Sequence, residues 1–176
     1  MERARLSLTE LAVLGLLAEG PKHGFAISRD LGPDAPVGRI LTVRRPLVYR
    51  ALERLVDSAL AMPARTEPGD AGPQRLVLRV TPAGRRLLRR WLAAPVAHVR
   101  DMRIEFQLKL TLLQRSGRTP LPLIRSQLEA LRPTLTALED ASVGPPDHVE
   151  LWRRHNAHAA AAYLEHLESL YSPPGP

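Results

Sequence analysis

One hairpin signal interrupts a chain whose other segments carry helical periodicity, and it restricts the possible folds more than any other feature. The two arms are residues 61–66 and 75–80, and the connection Glu67-Pro-Gly-Asp-Ala-Gly-Pro73 is rich in turn-forming residues. The second arm is apolar and β-branched, with arginine at two positions. The sequence therefore predicts a mainly α fold that contains a single β-hairpin.

Three helices are predicted before the hairpin. The segment Ser7–Glu10 has the S-x-x-E pattern of a capping box, and Gly20-Pro21 ends the helix that it begins. A short helix follows over about 23–31. A third helix begins near Pro46, because proline is favoured at a first helical position, where its missing N–H costs nothing. Its buried face is expected to use Leu47 or Val48, Ala51 or Leu52, Leu55 and Leu60.

The chain after the hairpin reads as helix throughout. A fourth helix is expected to start at Thr81-Pro82 and to run to about residue 93, with Arg85, Arg86, Arg89 and Arg90 on its polar side. Further helices are predicted over 101–114, 121–140 and 149–171, and Pro133 is expected to kink or split the second of these. We expect a loop over 142–146 and a disordered tail over 172–176. The predicted domains are 1–93 and 94–171.

The surplus of positive charge lies in the first half of the chain. Residues 1–90 hold 16 Lys/Arg and 9 Asp/Glu, a net charge of +7, whereas residues 91–176 hold 9 of each. Of the 25 basic residues 23 are arginine, which suits bidentate contacts to phosphate and guanine, although a GC-rich genome also favours arginine over lysine. This asymmetry predicts one half that binds a polyanion and another half with a different task.

Several classes of protein are excluded by what the sequence lacks. The chain has no cysteine, and its apolar stretches are too short to cross a bilayer. With no leader pattern at its N-terminus, we expect a soluble, cytoplasmic protein associated with the nucleoid. It contains no nucleophile elbow, phosphate-binding loop, H-E-x-x-H or dinucleotide fingerprint, so no enzyme activity and no cofactor are predicted.

Three helices followed by a hairpin, with arginine at the start of the third helix, are typical of a winged helix-turn-helix. A major groove about 12 Å wide admits one helix, whose leading residues reach the base edges. The residues expected to contact DNA are Arg44, Arg45, Tyr49 and Arg50 on the third helix, Lys22 and His23 before the second, and Arg65 and Arg75 on the hairpin arms. Glu67 and Asp70 argue against a strongly basic hairpin tip.

Four ordered motifs resemble the PadR family of winged-helix transcriptional regulators: 8–17 (LTELAVLGLL), His23-Gly24-Phe25, Tyr49-x-x-Leu52-x-x-Leu55, and 78–84 (LRVTPAG). The likeness covers about residues 6–92 and extends more weakly to 105–110 and the last helix. It implies a homodimer that uses C-terminal helices to dimerise and binds a pseudo-palindromic site, usually as a repressor. The chain departs from the family at three positions: Phe25 and Leu78 replace common tyrosines, and Ala59 replaces a helix-ending glycine.

Aromatic and histidine residues suggest two further hypotheses. Trp91 and Trp152 are candidate ligand-binding residues for a planar effector of unknown identity, although core or dimer-interface positions are commoner for such residues. His155 and His158 lie three apart on one helix, but without further ligands they do not predict a metal site. The alternatives to a DNA-binding regulator are a winged-helix module for protein–protein interaction and a small-molecule sensor with weak DNA binding.

Overall fold

Helices dominate the computed structural model, which describes residues 6–68, 74–140 and 147–173. Within those residues the sheet has three antiparallel strands in the order β1-β3-β2. The elements in chain order are α1 Leu8–Glu19, β1 Lys22–His23, α2 Gly24–Asp30, α3 Arg45–Asp57, β2 Ala61–Glu67, β3 Arg75–Val80, α4 Pro82–Ala93, a 3-10 helix Val99–Arg103, α5 Glu105–Arg115, α6 Leu121–Asp140 and α7 His148–Tyr171. The predicted mainly α class, with a winged helix followed by further helices, is confirmed.

The chain forms two compact units that do not follow a single cut in the sequence. The first unit takes the chain up to Leu92 together with Leu108–Ser116, and the second takes Ala93–Gln107 and the chain from Gly117 onward. The segment 108–116, within α5, therefore packs with the winged helix. The predicted domain boundaries, 1–93 and 94–171, do not include this return of the chain to the first unit. The division into these two domains stays a prediction.

The first helix begins and ends where its sequence signals predict. Ser7 Oγ accepts a hydrogen bond from the Glu10 backbone N–H, and the Glu10 carboxylate accepts one from the Ser7 N–H, which completes the capping box. Most of α1 is buried. A side chain at Gly15 would come within 2.5 Å of Leu112, so glycine is what allows α5 to pack this closely on α1.

The hairpin forms between the two predicted arms, and its second strand also pairs on the other edge. Ala61 lies opposite Val80, and the register shifts between Pro63 and Arg65. Lys22 lies opposite Leu78 in the two-residue strand β1, which sequence periodicity did not predict because two residues are too few to show alternation. This extra strand fixes the start of α2 against the sheet.

The third helix starts one residue earlier than expected, at Arg45, with Pro46 in its first turn. Of the two candidates for its first buried position, the structure buries Val48, whereas Leu47 is 48% exposed. Ala51, Leu52 and Leu55 complete the buried face. The helix closes on Ala59, whose φ of +54° is a left-handed conformation that favours glycine.

The turn after α3 supports the start of α4. The Thr81 hydroxyl donates to the carbonyl oxygens of Ala59 and Leu60 and accepts from the Gly84 N–H, so it caps α4 as predicted. A Cβ at Gly84 would lie 2.3 Å from the Leu60 carbonyl oxygen. The first turn of α4 is therefore held tightly against the end of α3.

Two expectations about the helices after α4 have different outcomes. The prediction of one helix over 101–114 is wrong, because the chain turns at Ile104 between a 3-10 helix and α5. The helix α6 continues through the exposed Pro133, so the expected split is wrong, whereas the expected kink stays a prediction.

Two polar side chains fix the ends of segments in this unit. The Gln127 side chain is buried on α6; it accepts from the Val96 N–H at 2.7 Å and donates to the Val96 carbonyl at 3.1 Å. Asp147 caps α7 by accepting from the N–H groups of Val149 and Glu150. The predicted loop 142–146 lies outside the described residues, as do residues 174–176 of the predicted disordered tail.

Candidate nucleic-acid interface

The leading end of α3 is basic and exposed, whereas its trailing end is acidic. Arg44, Arg45 and Arg50 are all exposed at the first turns, and Glu53 and Asp57 are exposed at the last two. Arg44 occupies the N-cap position without a side-chain cap, so it does not satisfy the free backbone N–H groups of the first turn. A polyanion is therefore attracted to the start of this helix and repelled from its end.

An ion pair with α1 fixes the helix from its other side. Arg54 Nε lies 2.9 Å from the carboxylate of Glu10, which is only 3% exposed and also belongs to the capping box of α1. Arg54 is exposed, but its guanidinium is committed to this pair. Glu10 thus links the start of α1 to the last turn of α3.

A cluster of aromatic rings and arginines joins α2, α3 and the hairpin. The guanidinium carbon of Arg45 lies 5.4 Å from the ring centre of Phe25 and 5.6 Å from that of Tyr49. The guanidinium carbon of Arg75, on β3, lies 5.8 Å from the centre of the same Phe25 ring. These four residues line one side of a groove of about 700 Å³ between α3 and the hairpin. Three of the predicted DNA-contacting residues are therefore brought together.

Two predicted contact residues before α2 have structural partners. His23 caps α2, since its Nδ1 accepts a hydrogen bond from the Ala26 N–H, and its ring stacks on Phe25. Lys22 Nζ lies 2.8 Å from a Glu19 oxygen and 2.7 Å from an Asp30 oxygen. Burial alone would lower the pKa of Lys22, but the hydrogen bonds to Asp30 and Glu19 raise it above its ordinary value. Lys22 is therefore charged and already paired.

The two basic positions on the hairpin arms differ in their surroundings. Arg65 on β2 is paired with Glu67, with its Nη2 atom 2.6 Å from the carboxylate. Arg75 on β3 is half-buried and lies on the Phe25 ring, beside α3. The predicted contribution of Asp70 to the hairpin tip lies outside the described residues.

The candidate ligand and metal residues lie in different parts of the chain. Trp91 belongs to the first unit, with its ring centre 5.0 Å from the buried Lys109 Nζ, and Trp152 belongs to the second unit, where it is 70% exposed beside a cavity of about 580 Å³. His155 is bonded to the Leu151 carbonyl. Among the described residues, no three His, Asp or Glu side chains are grouped closely enough to hold a metal ion.

The roles of Phe25 and Glu10 were not predicted from the sequence. Helical spacing makes Phe25 a candidate for the core beside Ile27 and Leu31, and the family resemblance makes it a departure from a common tyrosine. The core assignment is wrong, because the Phe25 side chain is 41% exposed. Glu10 was identified as a capping residue, but its pairing with Arg54 joins positions 44 apart in sequence, which no local pattern reveals.

Comparison with known proteins finds a family match that lies within the first unit. Residues 13–90 match the transcriptional regulator PadR-like family, which is a family of regulators and not of enzymes. No curated protein matches the sequence. Within the described residues, no helix is long and apolar enough to span a membrane.

Two solved structures are similar to the chain over nearly all of its length. One is the crystal structure of Bacillus subtilis PadR in complex with operator DNA: 21% identity, a TM-score of 0.49, and coverage of 96% of this chain and 100% of that one. The other is smu.1604c from Streptococcus mutans UA159: 15% identity, a TM-score of 0.44, and coverage of 94% and 98%. Over residues 13–90, which include α2, α3, both hairpin strands and most of α1 and α4, the chain is similar to the transcriptional regulator PadR-like family.

Proposed function

We propose that the protein is a sequence-specific DNA-binding transcriptional regulator whose helix α3 enters the major groove. One observation carries this proposal: three exposed arginines occupy the leading turns of α3, and two carboxylates occupy its trailing turns. Arginine recognises guanine through two hydrogen bonds in the major groove, and an exposed helix start also suits a phosphate. The match to a family of transcriptional regulators supports the same function.

The individual contacts are proposed from the position of each side chain. Arg44, Arg45 and Arg50 are proposed to contact bases and neighbouring phosphates, and Tyr49 a phosphate through its hydroxyl. Arg75 is proposed to contact the backbone beside the same groove. Arg65, Lys22 and His23 remain proposed contacts, but Arg65 and Lys22 must exchange a carboxylate partner for phosphate, so we expect smaller contributions from them.

A homodimer is proposed from a row of exposed apolar side chains on α7. Trp152, Tyr163 and Leu170 are exposed by 70%, 36% and 65%, and helical spacing places them in one row opposite the buried Ala157 and Leu164. A second copy that covers this row would bring two recognition helices to a pseudo-palindromic operator, because two half-sites multiply the specificity of one short helix. Occupying such an operator would repress transcription, and this task places the protein at the nucleoid in the cytoplasm.

Selection of bound sequences from random duplexes tests the proposal directly. We expect an inverted repeat to be enriched, and binding to that duplex to weaken about 10³-fold or more between 50 and 200 mM salt, if six or more phosphates are neutralised. An enriched single half-site would contradict the dimer, and Trp152→Glu should yield monomers in sedimentation if the row on α7 is the interface. Binding without sequence preference or salt dependence would contradict the function and favour a protein–protein module.

A further inference from the structure

We propose that Phe25 is a positioning residue for DNA recognition: its exposed ring holds Arg45 of α3 and Arg75 of the hairpin in one shared cation–π cluster. The inference rests on the proposed function, but it assigns a role to a residue outside the contacts proposed above. Phe25 lies at the start of α2, and its ring is 41% exposed. Here both guanidinium groups lie within 6 Å of its centre.

The contact with the ring does not use the hydrogen-bonding groups of an arginine. A guanidinium group that stacks on a ring uses its face, whereas its five N–H donors lie in its plane. Arg45 is held by a second ring, because its guanidinium carbon also lies 5.6 Å from the Tyr49 ring centre. An arginine fixed in this way loses less side-chain entropy when it binds a base or a phosphate than one that moves freely in solvent.

The ring also connects two separate DNA-facing elements. Arg45 belongs to α3 and Arg75 to β3, and Phe25 of α2 is the residue that both approach. Its own position is fixed by Gly24, which is buried where an added Cβ would come within 2.8 Å of the Tyr49 ring, and by the stacked ring of the capping residue His23. The cluster therefore sets the distance between the arginine of the helix and the arginine of the hairpin.

Replacing the ring tests the inference with little change in packing. Phe25→Leu keeps an apolar side chain but removes the aromatic face, and we expect it to weaken binding to the selected duplex about tenfold. Phe25→Tyr should restore the binding, because tyrosine presents an equivalent face. The loss caused by Phe25→Leu should disappear in the Arg45→Ala/Arg75→Ala double variant, since no guanidinium then remains to be positioned.

Fluorinated phenylalanine at position 25 separates electrostatics from shape. Each added fluorine weakens the negative potential of the ring face with little change in its size, so affinity should fall stepwise along the series. The matched control is the same series at Phe106, which is fully buried and should leave the affinity unchanged. Equal affinity along the series at Phe25, or full additivity with the arginine variants, would overturn the inference.

A measurement without DNA distinguishes failure of this inference from failure of the proposed function. The Arg45 and Arg75 side-chain resonances should show ring-current shifts that are lost in Phe25→Leu. If these shifts are absent while the unaltered protein binds its duplex, the positioning role is wrong and the function stands. If the shifts are present but no duplex is bound, the function is wrong and the role in recognition falls with it.

Discussion

The helices α3 and α4 both present arginine to solvent, but only α3 has a free leading end. In α4 the arginines run along the whole face opposite Leu88 and Leu92, and the helix contains no acidic residue. Its first turn, however, is packed on the protein: Gly84 is buried against the Leu60 carbonyl, and Arg85 donates to the Ala18 carbonyl. Positive charge alone therefore does not identify the recognition helix, since only an exposed helix start can enter a groove.

The largest effect on DNA binding should come from removing an arginine of α3, and removing an arginine of α4 is the control. Arg50→Ala in α3 should weaken binding to the selected duplex by about 1–3 kcal/mol, because it removes a contact at the leading end. The matched control, Arg90→Ala in α4, also removes an exposed arginine, and it should cause a much smaller loss that is equal for all sequences. Anisotropy titrations at a single salt concentration measure both. Equal losses, or a larger loss at Arg90, would assign recognition to α4.

A change in the turn between these helices should alter stability and not binding. Ala59 has a left-handed backbone with φ +54°, so Ala59→Gly should stabilise the fold by about 1 kcal/mol. The opposite substitution at Gly117 is the control. Its φ is +68°, and no atom lies within 4 Å of the place that a Cβ would take. Gly117→Ala should therefore destabilise the fold only through backbone strain. Thermal and denaturant unfolding measure both effects. A large change in DNA affinity for Ala59→Gly would show that this turn adjusts the recognition surface.

Local sequence signals were enough to predict most elements, because each depends on residues close together in the chain. The capping box at Ser7, the proline near the start of α3 and the Thr81 cap all lie where predicted. Ala59 is also informative: the resemblance puts a helix-ending glycine at this position, and the φ of +54° is the left-handed conformation that glycine favours. The choice between Leu47 and Val48 remained open until tertiary packing decided it.

What the sequence could not predict depends on contacts between distant residues. In the cation–π cluster, Phe25 contacts arginines that are 20 and 50 residues away in the sequence. The ion pair between Glu10 and Arg54 joins positions that are 44 residues apart. Residues 108–116 pack in the first unit, although they follow α4 and the 3-10 helix in the chain. None of these leaves a periodic pattern. The same holds for Lys22: its charge suggests a phosphate contact, and only the structure shows the two carboxylates beside it.

The smallest effect should come from the ion cluster around Glu19, which lies away from the arginines of α3. Burial alone would raise the pKa of Glu19, but the hydrogen bonds from Arg115 and Lys22 outweigh it, so its pKa lies below the ordinary value. A carboxyl with a lowered pKa stabilises the fold above its unfolded-state pKa, near 4.3, and this contribution is lost as the pH falls through the lower, folded-state value. Its part in stability should be under about 1 kcal/mol, since the group is partly solvated.

Glu19→Gln isolates this contribution, because the amide keeps the shape and cannot titrate. The variant should unfold more easily than the unaltered protein at neutral pH, and the difference between the two should shrink as the pH falls below about 4. Glu129→Gln is the control, since Glu129 pairs with Arg132 in a largely exposed ion pair that contributes little to stability. A constant difference between Glu19→Gln and the unaltered protein across that pH range would mean that the loss comes from packing.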